Sequence, residues 1–167
     1  MKPRIKGMAL ERAQKIAEEV VKHLSPYCQR IEVAGSIRRK KPWVNDVDLV
    51  LIASDLWNLY AEVMKLGQVK VNGSKLMRVM VGSVQVDIYI ADERIWATLL
   101  LIRTGSAENN IRLATLAKNR GWRLAASGDG LFNENEERIA GDTEESIYAA
   151  LGLPYQQPWE RAESACW

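Results

Sequence analysis

Three aspartates in this chain of 167 residues stand where carboxylates could share chemical work. Asp46 and Asp48 lead into the apolar run 49–53, which reads as a strand, and residues two apart on a strand project from the same face. Their carboxylates can therefore share one metal centre. Asp87 sits in the middle of Val84-Gln85-Val86-Asp87-Ile88-Tyr89-Ile90, a strongly β-prone run. An ionised carboxylate buried in a strand without a partner is costly, and a metal would supply the partner. Ahead of the pair, Gly35-Ser36 ends a short alternating strand through Ile31 and Val33. A glycine there lets backbone amides and a small hydroxyl approach a phosphate closely, and Arg38 and Arg39 add fork-shaped cationic donors. Two acids at the mouth of a strand are more often a solvated end than a metal site. A third acid inside a strand, together with a phosphate-binding turn, points instead to an oxygen-rich site suited to Mg²⁺ bridged to phosphates. Two such ions explain two shared acids and one unshared acid.

These residues need elements to position them. Apolar residues at helical spacing over 8–24, with Glu11, Arg12, Lys15, Glu18, Glu19 and Lys22 on the other face, predict an amphipathic helix that ends at Ser25-Pro26. A strand over 30–34, the phosphate turn and a strand over 46–53 follow. Ser54 or Asp55 caps a helix over 56–66, closed by Gly67. From 68 to 90 the period is two, with breaks at Asn72-Gly73 and Gly82-Ser83, which predicts two tight hairpins and three antiparallel strands. Asp87 can then lie beside the Asp46 and Asp48 strand. Asp92 caps a helix to about residue 102, and a second helix covers 107–119. A short strand and turn occupy 122–132, and Asp142 or Thr143 caps a last helix through 151. The end, 156–167, reads as loosely held.

Composition narrows the class. At 47% hydrophobic residues the chain can bury a real core. No apolar run approaches a membrane span, and the N-terminus lacks the apolar stretch of a signal peptide, so a cytoplasmic protein with no membrane association is expected. Cys28 and Cys166 stand far apart and read as free thiols, and His23 as structural. The net charge is only +2, but residues 1–41 hold eleven Lys or Arg against four acids, and residues 134–167 hold eight acids against two Arg. The acidic end reads as a solvated face. The basic arm runs into the phosphate turn and fits a polyanionic partner. Trp43 could stack on a base or pack under the loop, and packing is the commoner use of Trp.

Taken together, Gly-Ser-x-Arg-Arg, then Asp-x-Asp, then a lone strand Asp resembles the nucleotidyltransferase palm of the family X DNA polymerases, the polymerase beta group. Thr104-Gly105-Ser106-Ala107-Glu108-Asn109-Asn110-Ile111-Arg112 is similar to the segment with which that family grips the incoming nucleotide, and 148–155, ending in Pro158, resembles the close of its thumb. The resemblance implies an α+β fold, a nucleotidyltransferase palm with a mostly antiparallel or mixed sheet and helices on one face, followed by a small α/β thumb. It places the palm at 1–102, the thumb at 103–160 and a tail at 161–167, without a preceding lyase or helix-hairpin-helix domain. It implies a monomeric DNA-directed DNA polymerase that fills short gaps in repair, using dNTPs on gapped or primer-template DNA and two Mg²⁺ ions, for which Mn²⁺ can substitute. Asp46, Asp48 and Asp87 would be catalytic and metal-binding. Gly35, Ser36, Arg38, Arg39, Asn45, Thr104, Gly105, Ser106 and Asn110 would hold the nucleotide, and Lys40, Lys41 and Arg112 the DNA. A template-independent nucleotidyltransferase acting on RNA, a protein or a small molecule is the alternative. The aromatic pair that precedes Thr-Gly-Ser in polymerase beta is replaced by Ile102-Arg103, which predicts weaker exclusion of ribonucleotides.

Overall fold

The computed structural model describes residues 7–163; Cys166 lies outside them. A two-residue strand β1 (Met8–Ala9) leads into helix α1 (Leu10–Leu24), whose Ala13, Ala17, Val20 and Leu24 form one buried stripe. A 3-10 turn through Pro26 redirects the chain into β2 (Cys28–Val33). The one-turn helix α2 (Gly35–Arg38) and the short β3 (Trp43–Val44), which pairs with β1, precede β4 (Val47–Ala53). Helix α3 (Leu56–Leu66) starts at Asp55, whose side chain accepts from the Asn58 amide. The strands β5 (Gln68–Asn72), β6 (Leu76–Val81) and β7 (Val84–Ala91) then form the two expected hairpins.

The five long strands form one sheet in the order β2-β4-β7-β6-β5. Every neighbouring pair is antiparallel except β4 and β7, which run parallel with Asp48 opposite Asp87. Pleating sends Leu49, Leu51, Met77, Val79, Val86 and Ile88 to one face, where they pack on α1 and α3 in the largest core cluster. Asp48 and Asp87 alternate with these residues and so take the other face. The helices are not confined to one side. Val50, Ile52 and Ala91 on the aspartate-bearing face pack under α4 (Trp96–Thr104). β4 is thus covered on both faces over its second half, which is why it reads as an apolar run.

A third cluster gathers Leu101, Leu113, Leu131, Ile147, Tyr148 and Leu151. It joins α4 to α5 (Ala107–Asn119), to a small antiparallel sheet of β8 (Arg123–Ala125), β9 (Gly130–Phe132) and β10 (Arg138–Ala140), and to α6 (Glu144–Ala150). Ser106 caps α5, and Thr143 caps α6 in a capping box with Ser146. The chain after α6 is not loosely held as far as Glu163. Pro158 is buried, Gln157 and Glu160 cap a 3-10 turn, and the Arg161 side chain has no exposure. No helix among the described residues is long and apolar enough to cross a membrane.

Candidate active site

The loop after β2 is fixed from below. The Ala34 amide donates to the Asp48 carbonyl at 2.8 Å, and the amides of Arg39 and Lys41 donate to the carbonyls of Gly35 and Ser36. Gly35 has φ +61, and a Cβ there would fall 2.3 Å from Asp48 Oδ2. Glycine is therefore required twice, for its left-handed backbone and for the space it leaves beside a carboxylate. The expected phosphate turn is the first turn of α2.

A cavity of about 410 Å³ opens between this loop, the approach to β4 and the junction of α4 with α5. Gly35, Ser36, Arg39 and Lys41 line it from the loop, with Asn45, Asp46 and Asp48 from the strand mouth and Thr104, Gly105 and Asn110 from the junction. Ten of the residues expected in a site thus share one space. Trp43 lines it too and is 53% exposed, so it is not packed under the loop. Ile102, Arg103 and Ala107 complete the lining. The Arg103 guanidinium stacks 4.2 Å over the Tyr89 ring, and the side-chain oxygen of Asn110 is buried without a hydrogen-bond partner while its amide donates to the Ile102 carbonyl.

Burial is the main reason that the Asp48 carboxyl is pushed up to about 7, and the negative charges of Asp87 and Asp46 add to it. Three acids crowd one another here, and Arg103 and Arg39 offset them in part. Asp87 does not line the cavity. Its buried carboxylate is bonded by Arg78, Nε to Oδ1 at 2.7 Å and Nη2 to Oδ2 at 3.3 Å, so the partner that the sequence left to a metal is a side chain of the next strand. Sequence could have found it, because residues 78 and 87 are equidistant from the Gly82-Ser83 turn.

Four of the expected residues are engaged within the fold. Arg38 donates to both oxygens of Glu144, at 2.9 and 2.6 Å, and to the Thr104 hydroxyl. Lys40 stacks on Trp159, Arg112 donates to Gln156, and the buried Ser106 hydroxyl caps α5 and donates to the Ala162 carbonyl. Arg39 donates to the Thr104 carbonyl and to Glu163. The acidic end is therefore not simply a solvated face: Glu144 and Glu163 meet the basic arm at Arg38, Arg39 and Lys41.

The donor set can be tested against a divalent cation. It is all oxygen, its crowded charge is the kind a cation relieves, and Gly35 leaves space at Asp48 Oδ2. Asp46 and Asp48 both line the cavity and offer oxygen donors of the kind such a cation takes. Asp87 is held by Arg78, and among the described residues no group of three or more His, Cys, Asp or Glu side chains is assembled to hold a metal ion.

A mixed sheet with carboxylates at a strand mouth faces cationic side chains and the α4–α5 junction across one cavity, an arrangement chemically suited to phosphate groups. Residues 99–162 match the sequence profile of the DNA polymerase beta thumb. Over 154 residues, 87% of the chain, it is 29% identical to the DNA polymerase/3′-5′ exonuclease PolX of Bacillus subtilis (strain 168), and it spans 27% of that protein's length. The fold is similar to the crystal structure of Leishmania infantum polymerase beta in a ternary P/T complex, with a TM-score of 0.78 at 19% identity, over 95% of this chain and 77% of that one. By these likenesses the chain resembles the family X DNA polymerases.

Proposed function

We propose that this chain is a DNA polymerase of the polymerase beta type, transferring a nucleotide from a dNTP to the 3′-hydroxyl of a primer strand, and that short-gap filling is its use. The observation that carries the reading is the single cavity shared by Ser36, Arg39 and Lys41, by Asp46 and Asp48, and by Thr104, Gly105 and Asn110. Arg39 and Lys41 supply positive charge for a triphosphate, and Ser36 a small hydroxyl at the α2 turn. Thr104 and Gly105 form the wall for sugar and base, and the unpartnered Asn110 oxygen accepts a donor from the nucleotide. Asp46 and Asp48 would hold the Mg²⁺ ions, with Asp87 completing the catalytic position. When bound, those ions would neutralise charge on the phosphates and favour deprotonation of the hydroxyl. The chain's own part is positioning, through a loop tied to β4 and a junction tied to Arg38 and Arg39.

A labelled one-nucleotide gap offered each dNTP singly with Mg²⁺ tests this. Insertion of only the complementary base is expected. Addition of every base alike would favour a template-independent nucleotidyltransferase.

A further inference from the structure

The aspartate-bearing face of the palm sheet holds a group for which the proposed chemistry has no use. Arg78 on β6 is the ladder partner of Asp87 on β7, and both of its bonding nitrogens are given to that one carboxylate. Gln85, two residues earlier on the same face, reaches the same oxygens at 3.4 and 3.3 Å. A cation approaching Asp87 therefore meets a positive charge bonded to the oxygens it needs. Ion and guanidinium are competitors for one anion.

The two partners differ in freedom. Asp87 is 5% exposed and fixed in the middle of its strand. The Arg78 side chain is 35% exposed, and its head can turn to another anion at the surface while its stem stays on the sheet. A strand of nucleic acid would bring a phosphodiester, which matches a guanidinium bidentately. We infer that Arg78 is a positioning residue that withholds Asp87 from the divalent cation until a backbone phosphate of the bound strand draws its guanidinium away. The inference rests on the proposed reading of Asp46, Asp48 and Asp87 as metal ligands. It makes strand binding and cation binding strengthen each other by one common factor.

Mn²⁺ binding to the whole chain, followed by electron paramagnetic resonance, tests the inference with no turnover in the readout. It is measured on the protein alone and with a gapped duplex whose primer ends in a 3′-deoxynucleotide. In the protein alone, Arg78→Gln should tighten Mn²⁺ binding by up to about fivefold, the scale of a partly exposed ion pair. Arg78→Lys should fall between, and the effect should vanish when Asp87 is replaced by Asn. The duplex should tighten Mn²⁺ binding in the wild type and add nothing in Arg78→Gln. Unchanged or weaker Mn²⁺ binding in Arg78→Gln overturns the inference, as does a duplex effect of equal size in both proteins. Should Arg78→Gln fail to fold, as judged by circular dichroism, Arg78→Lys carries the same comparisons. If Asp87→Asn loses no Mn²⁺ site, the ligand reading falls and the inference with it. If the duplex does not bind at all, the proposed polymerase activity fails, while the measurement on protein alone still decides whether Arg78 and the ion compete.

Discussion

Replacing Glu144 with Gln should be among the most damaging single changes in this protein, although Glu144 does not line the cavity. Glu144 is 8% exposed, and its carboxylate accepts from Arg38 at 2.9 and 2.6 Å and from Arg161 at 2.9 Å. The two arginines do not depend on it equally. The Arg38 side chain is 21% exposed and would regain water, whereas Arg161 has no exposure and one of its terminal nitrogens already lacks a partner. With a neutral amide in place of the carboxylate, Arg161 is left with uncharged partners alone, among them the Gln156 carbonyl and the Tyr155 hydroxyl. An uncompensated buried charge of this kind costs about 3–5 kcal/mol. Arg38→Ala leaves Glu144 paired with Arg161 and should cost about 1–3 kcal/mol, the scale of a lost charged hydrogen bond. Urea unfolding followed by tryptophan fluorescence would measure both. Adding Arg161→Met to Glu144→Gln should return part of the loss, because it removes the stranded charge. A loss under about 1 kcal/mol in Glu144→Gln, well below that of a broken buried pair, would refute the reasoning. So would a larger loss in Arg38→Ala than in Glu144→Gln.

Asp48→Asn should stabilise the metal-free protein at pH 8. A carboxyl raised from 3.8 to about 7 contributes stability that is complete below the unfolded value and lost as pH rises to the folded one, by about 4 kcal/mol at most. The advantage of Asn should be near zero at pH 4, and an equal advantage at pH 4 and pH 8 in urea titrations with EDTA would count against it. Asp87→Asn should abolish nucleotide transfer yet keep Mg-nucleotide binding by calorimetry, since Asp87 stands outside the cavity that holds Asp46 and Asp48; near-normal turnover would sink its catalytic assignment. Gly35→Ala should cost at least about 1–2 kcal/mol for the left-handed backbone alone, and transfer should fall further because its Cβ would displace Asp48; a melting temperature equal to wild type would contradict this. With Ile102 and Arg103 at the cavity wall, ribonucleotides should be inserted within roughly a hundredfold of deoxyribonucleotides, the usual limit for rejecting a hydroxyl by shape. Comparing kcat/KM for GTP and dGTP opposite cytosine checks it, and a preference of many thousandfold for dGTP would show another residue gating the sugar.

Much of the fold could be read from local pattern. Helix α3, helix α5 with its bounds at Ala107 and Asn119, and the hairpins at Asn72-Gly73 and Gly82-Ser83 follow from periodicity and turn chemistry, and these signals act within a few residues. The cavity brings together ten of the residues named from motifs, because a motif is itself a local record of spacing. What stayed hidden depends on distance along the chain. Arg38 and Glu144 are 106 residues apart, and nothing near either one distinguishes a strut from a phosphate ligand or a solvated acid. Arg161 and Glu163 looked like part of a polar end, and only the burial of Arg161 against Glu144 and the ion pair of Glu163 with Arg39 reveal otherwise. Strand β10 is three residues long and lies in a polar stretch, too short for a period of two to show.

The one parallel pairing in the five-stranded sheet sets when the three aspartates can come together during folding. Helix α3 and the hairpin of β5 and β6 must both be traversed before β7 can settle against β4. Local contacts can form α1, α3 and the hairpins early, but the Asp48–Asp87 register closes a long loop and belongs to the slow, non-local part of the reaction. A half-folded chain would therefore carry the loop arginines and the hairpins without a joined carboxylate centre. Recovery of cation binding during refolding should then coincide with completion of the sheet and lag behind the appearance of helix.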